Sequence, residues 1–243
     1  MFLRNIIFTG LAAMCFGACS VAPAGQGDHD PYEQINRQVH GFNKSLDARL
    51  FRSADETPRQ VPEEISKPVT NFADNVGLPG MVLNGLLQVD IAGAATNTMR
   101  FILNTTVGIG GLLDPAGAIG LAEQETDFGE TLAVWGVPEG GYLELPLLGP
   151  STERALAGRL VDMVIDPLDR FGMAQQVDYG TATRIASKIL KRRQAAGTLD
   201  SVLGDSADSY TQLRLIYLQN RRFELGTTPA QDAVDPYDEL FGE

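Results

Sequence analysis

The residues from Met81 to Ala122, MVLNGLLQVDIAGAATNTMRFILNTTVGIGGLLDPAGAIGLA, hold only three charged side chains, Asp90, Arg100 and Asp114, in a chain whose formal net charge is −12. The rest of the protein has to be arranged around withdrawing so apolar a stretch from water. Its length would suit a membrane span, but seven glycines, Pro115 and the polar run Asn104, Thr105, Thr106 interrupt any continuous helix. The spacing predicts short helices joined at tight corners. Asp90 is placed as an N-cap, and Ile91, Ala94, Ala95, Thr98, Met99 and Ile102 follow at intervals of three and four, one largely apolar stripe. Asp114 precedes Pro115 in the order of a second cap and a first helical residue. Between the two, Gly108, Gly110 and Gly111 allow a sharp bend. The pattern alone leaves two readings: a buried core hairpin of a soluble helical domain, or a helical hairpin whose apolar surface faces lipid.

The start of the chain favours lipid. Arg4 precedes an apolar run from Ile6 to Phe16, and small residues Gly17 and Ala18 lead to Cys19, the layout of a secretory signal. Phe16, Gly17, Ala18, Cys19 resembles a bacterial lipobox, which places cleavage before Cys19 and an acyl anchor on it. Residues 1–18 are therefore read as signal peptide and 19–30 as a lipidated flexible tether. Ser20, where an inner-membrane retention signal often shows Asp, points to the outer membrane. Cys15 leaves with the signal, so the mature chain keeps no thiol for a disulfide or a metal. Losing Arg4 leaves 18 basic and 31 acidic residues, a balance that excludes nucleic acid as a partner and any polybasic attachment to anionic lipid.

Residues 31–226 are read as one helical domain and 227–243, with five acids, two prolines and no base, as a disordered acidic tail. Asp30, Pro31 and Glu33 signal the start of a first helix carrying Ile35, Val39, Phe42 and Leu46 on one face and Asn36, Arg37 and Asn43 on the other. Between Thr57 and Pro79, four prolines allow only short helices such as Glu63 to Ala73. Phe128, Leu132 and Trp135 share a face of a helix that Gly136 ends. One short β-hairpin is expected near 137–148, turning about Gly140 and Gly141, with helices over Thr152–Ile165, Thr181–Ala196 and Ser209–Glu224.

DPYEQINRQVHGFN (30 to 43), RFILNTTVGIGGLLDPAG (100 to 117), ETDFGETLAVWGVPEGGYLELPLLGPST (125 to 152) and the Asp208 to Arg222 helix together resemble the MlaA/VacJ family of outer-membrane lipoproteins. The resemblance implies an all-α, single ring-like helical domain, embedded in or lying on the outer membrane around an amphipathic channel. It implies removal of phospholipids from the outer leaflet and delivery to a periplasmic lipid-carrier protein, often beside a trimeric porin. The sequence departs from the family at Asp208, Ser209, Tyr210, where Asp, Pro, Tyr is usual.

The chemistry agrees with such a route. Drawing roughly thirty lipid methylenes into water costs about 25 kcal/mol at about 0.8 kcal/mol each, while a bare phosphate in hydrocarbon loses its hydration. A polar passage through a lipid-embedded protein avoids both costs. The candidate channel or gate residues are Asn36, Phe42, Asn43, Arg100 and Asn104, Arg100 being the lone cation of the apolar stretch. Catalysis finds little support. His29 and His40 are the only histidines, Gly108, Gly110, Gly111 matches no nucleotide motif, and no cofactor is expected beyond the lipid on Cys19. The alternatives are a structural porin-associated lipoprotein and a periplasmic hydrolase built on Asp162 and Asp166, one helical turn apart.

Overall fold

A computed structural model describes residues 30–51, 61–165, 186–193, 202–203 and 206–226. The signal, nearly all of the tether and the acidic tail lie outside these residues. The chain forms helices α1 (Glu33–Phe51), α2 (Glu63–Leu87), α3 (Ile91–Thr106), the single turn α4 (Pro115–Ala118) and α5 (Phe128–Val134). Strands β1 (Tyr142–Leu145) and β2 (Gly149–Thr152) follow, then α6 (Glu153–Ile165) and α7 (Ser209–Glu224). Of the helix expected over Thr181–Ala196, residues 186–193 are described and are helical. No described helix is long and apolar enough to cross a membrane.

The corners of the central stretch form as its punctuation predicts. Asp90 caps α3 by accepting from the Gly93 amide, and Asp114 caps α4 by accepting from that of Gly117. Ile109, Gly110 and Gly111 all take positive φ between these helices. At Gly108 a Cβ would lie 2.4 Å from the Asn104 carbonyl oxygen and 2.5 Å from that of Leu113, so the corner closes only on glycine.

Three expectations need correction. The short helices drawn between Thr57 and Pro79 are one helix, α2, running through Pro68 and Pro79. Each proline removes a backbone donor, at about 3 kcal/mol in isolation, but α2 packs lengthwise on α3, with Gly85 seated against Ala94. That long-range contact outweighs the local signal. The hairpin turns at Pro146–Leu148 rather than at Gly140 and Gly141, pairing Tyr142 with Thr152 and Leu145 with Gly149. Pro150 fits because a two-stranded ribbon has edges that need no donor. Finally, α1 begins at Glu33, and Asp30 turns its carboxylate to the Asn36 amide and the Tyr210 hydroxyl instead of capping the helix.

The burial pattern runs opposite to that of a water-soluble bundle. On α3 the inward face is Gly93, Asn97, Arg100 and Asn104, while Ile91, Met99 and Ile102 point outward. On α1, Asn36 and His40 are buried while Ile35 and Phe42 are exposed. The reading of Met81–Ala122 as a core hairpin therefore fails. The larger aliphatic groups Ile91, Met99 and Ile102 face outward, while inside, beside Ala94 packed on Gly85, the polar groups Asn97, Arg100 and Asn104 make the contacts. Among the described residues, an apolar cluster gathers at Tyr142, Tyr210 and Leu218, with Tyr217 against them, and Leu78 is buried on α2.

Candidate functional site

Two buried polar centres hold the inverted helices together. The first lies between α3 and the chain that follows it. Arg100, 6% exposed, donates Nη1 to the Leu121 carbonyl and sets Nη2 3.2 Å from Asp114 Oδ1 and 3.6 Å from Glu123 Oε2. One turn on, Asn104 donates Nδ2 to Asp114 Oδ1 at 2.9 Å and accepts from the Ala116 amide at 3.1 Å. One turn back, Asn97 donates Nδ2 to the Gln124 carbonyl at 2.8 Å and accepts from the Gln124 amide on Oδ1 at 3.0 Å. Positions 97, 100 and 104 share one face of α3, so a single helix edge clips the whole segment 114–124.

Electrostatics divides the two carboxylates. Burial pulls the Asp114 carboxyl upward, but the Gly117 amide, the Asn104 amide and Arg100 together outweigh it and hold it below its ordinary value. Glu123 is lifted by burial and by the negative charge of Asp74, which Arg100 offsets only in part.

The second centre joins α1, the hairpin and α7. Asn36 donates to the Tyr142 carbonyl at 2.9 Å and accepts from the Glu144 amide at 2.9 Å. Two turns along α1, Asn43 donates to the Leu145 carbonyl and accepts from the Leu147 amide, both at 2.9 Å. Between them, His40 Nε2 lies 3.0 Å from Ser209 Oγ and Nδ1 lies 3.7 Å from Glu144 Oε1. These are the residue types of a hydrolytic triad. All three side chains are buried, however, and the Glu144 carboxylate already accepts from the Tyr142 hydroxyl at 2.5 Å and from Asn43 at 3.2 Å. The group ties three elements together and offers no accessible nucleophile.

Of the residues singled out from sequence, Arg100 and Asn104 converge on Asp114, and Asn36 and Asn43 converge on β1 and its turn. Phe42 stands on the outer face of α1, half exposed, and Cys19 lies outside the described residues. Asp162 accepts from Asn84 Nδ2 at 2.9 Å and from the Phe128 amide at 3.0 Å, joining α2, α5 and α6; Asp166 lies outside the described residues. Sequence reasoning missed Asp114 and Glu123 as Arg100's partners and Glu144 as a hub. Asp114 carried a signal, since a cation and an anion isolated in one apolar stretch can escape the cost of burial only by meeting.

A family model described as MlaA lipoprotein matches residues 28–224. The chain is 32% identical over 214 residues to the Escherichia coli K12 protein named intermembrane phospholipid transport system lipoprotein MlaA, covering 85% of this chain and 82% of that one. An uncharacterised protein of Rickettsia prowazekii is 35% identical over 188 residues, covering 76% and 74%. A solved chain reported as "Structural basis for maintenance of bacterial outer membrane lipid asymmetry" aligns with a TM-score of 0.67 at 31% identity, covering 81% of this chain and 99% of that one.

Proposed function

The chain belongs to the MlaA lipoprotein family, and from that premise we propose that it withdraws phospholipids from the outer leaflet of the outer membrane and passes them to a periplasmic lipid carrier, keeping the two leaflets different. The observation that carries this reading is the inverted burial of α3, with Asn97, Arg100 and Asn104 inside and Ile91, Met99 and Ile102 outside. Such a surface is unfavourable in water and favourable among acyl chains, and the polar interior satisfies the groups that hydrocarbon would strand.

The described helices are too short or too polar to span, so the protein lies within the membrane as a shallow ring held by acyl chains on Cys19. In this reading the polar faces bearing Asn36, Asn43, Arg100 and Asn104 border the passage for head groups, with Phe42 at its rim and tails kept in apolar surroundings. A trimeric porin is the proposed neighbour. The activity is transport without catalysis, in keeping with the transport name of the Escherichia coli relative.

The test is reconstitution of the acylated protein in vesicles with labelled phospholipids, with and without a periplasmic lipid carrier. Head-group transfer that requires both proteins supports the proposal. Inert binding favours a structural lipoprotein and cleaved lipid favours a hydrolase, and either result overturns it.

A further inference from the structure

Among the described residues, three other than glycine take left-handed backbone angles: Val89 at φ 63°, Ile109 at 55° and Leu147 at 66°. All three are bulky and apolar, and they are 79%, 67% and 72% exposed. Left-handed backbone disfavours any side chain with a Cβ and disfavours β-branched ones most. At Val89 the chain supplies its own control. The Val89 amide donates to the Leu86 carbonyl and the Asp90 amide to that of Gly85, the paired closure that usually puts glycine at the left-handed position. The same closure ends α4 at Gly120 and α5 at Gly136. Among the described residues, this closure carries a valine only at the end of α2. Ile109 opens a left-handed run that continues through Gly110 and Gly111, and the Leu147 amide is pinned by Asn43 Oδ1.

Among the described residues, these side chains meet little of the protein. We propose that Val89, Ile109 and Leu147 are lipid-anchoring side chains, each held on a strained turn and aimed into acyl chains. The inference rests on the reading that this surface lies in lipid. Val89 and Ile109 lie just beyond the two ends of the outward stripe of α3; no exposed residue of α3 is charged, and the exposed Asp90 beside Val89 accepts from the Gly93 amide as the helix cap. A protein partner would bring a polar rim to such a stripe, whereas acyl chains ask for none.

Trp135, the chain's one tryptophan, donates Nε1 to the Leu87 carbonyl at 3.1 Å, beside the Val89 corner, and serves as a native depth reporter. The test places the full acylated protein in vesicles of phosphatidylethanolamine and phosphatidylglycerol with acyl-brominated lipid. Wild-type Trp135 should be quenched. Val89→Asn, which accepts the left-handed angle but is polar, should reduce the inserted population at that corner roughly tenfold or more. It should also unfold at higher urea concentration before vesicles are added. Val89→Leu should stay quenched. If Val89→Asn does not fold, Val89→Ala carries the test and should lose quenching at the unchanged backbone angle. A quenched wild type with equally quenched Asn or Ala variants overturns the anchoring role alone. Quenching that needs added porin makes the occupant a protein and overturns the lipid assignment. An unquenched wild type overturns the membrane reading beneath it.

Discussion

At the scale of single residues, the protein depends on buried polar groups that each have several partners. Arg100→Ala removes the cation paired with Asp114 and Glu123 and frees the Leu121 carbonyl. Because Asp114 keeps about a third of its side chain exposed, the loss falls at the low end for a broken buried pair, about 3 kcal/mol in chemical denaturation. If Arg100 borders the passage, lipid transfer should slow as well, and unchanged transfer by a folded variant would refute that role. Asn36→Ala leaves the Tyr142 carbonyl and Glu144 amide unpaired in the interior and should cost about 2–4 kcal/mol by the same measurement. Asp114 makes the fold sensitive to acid. Its folded carboxyl titrates below the ordinary 3.8, so its stabilisation is complete above that pH and is lost as pH falls through the folded value. A urea series across acid pH should show that slope in the wild type, and Asp114→Asn should flatten it.

At the scale of elements, the inverted helix decides what a substitution does. Ile102→Lys puts a charge on the outward stripe of α3, where lipid penalises it by about 2.5–3.5 kcal/mol while the folded interior is untouched. Membrane depth and lipid transfer should fall with the circular dichroism spectrum unchanged. Gly108→Ala should do the reverse. Its Cβ would strike two carbonyl oxygens, so the corner should lose about 1–3 kcal/mol in chemical denaturation. Caps and corners were legible because their chemistry is local: Asp90, Asp114, Gly136 and the limits of α7 all follow from neighbours in sequence. The inversion was not, because helical periodicity says that two faces of α3 differ and not which one meets solvent. The continuity of α2 through Pro68 and Pro79 was hidden for a similar reason, since it depends on α3, and the hairpin turn moved to Pro146–Leu148 because Asn36 and Asn43, a hundred residues away, hold β1 and its turn.

At the scale of the molecule, the family and the mostly helical architecture were readable from four sequence blocks, whereas the partners of the candidate residues were not. Arg100 meets Asp114 and Glu123, and Asn36 meets Tyr142 and Glu144, across loops whose paths no local pattern sets. The inverted helix α3 puts polar groups inside and an apolar stripe outside, which suits a lipoprotein of this family. The most direct measurement is a nitroxide placed by Met99→Cys on the outward face of α3 in the acylated, vesicle-reconstituted protein, with its collisions compared between oxygen and a water-soluble nickel chelate. Frequent collisions with oxygen and few with the chelate are the predicted result; free access of the chelate to position 99 would contradict the account.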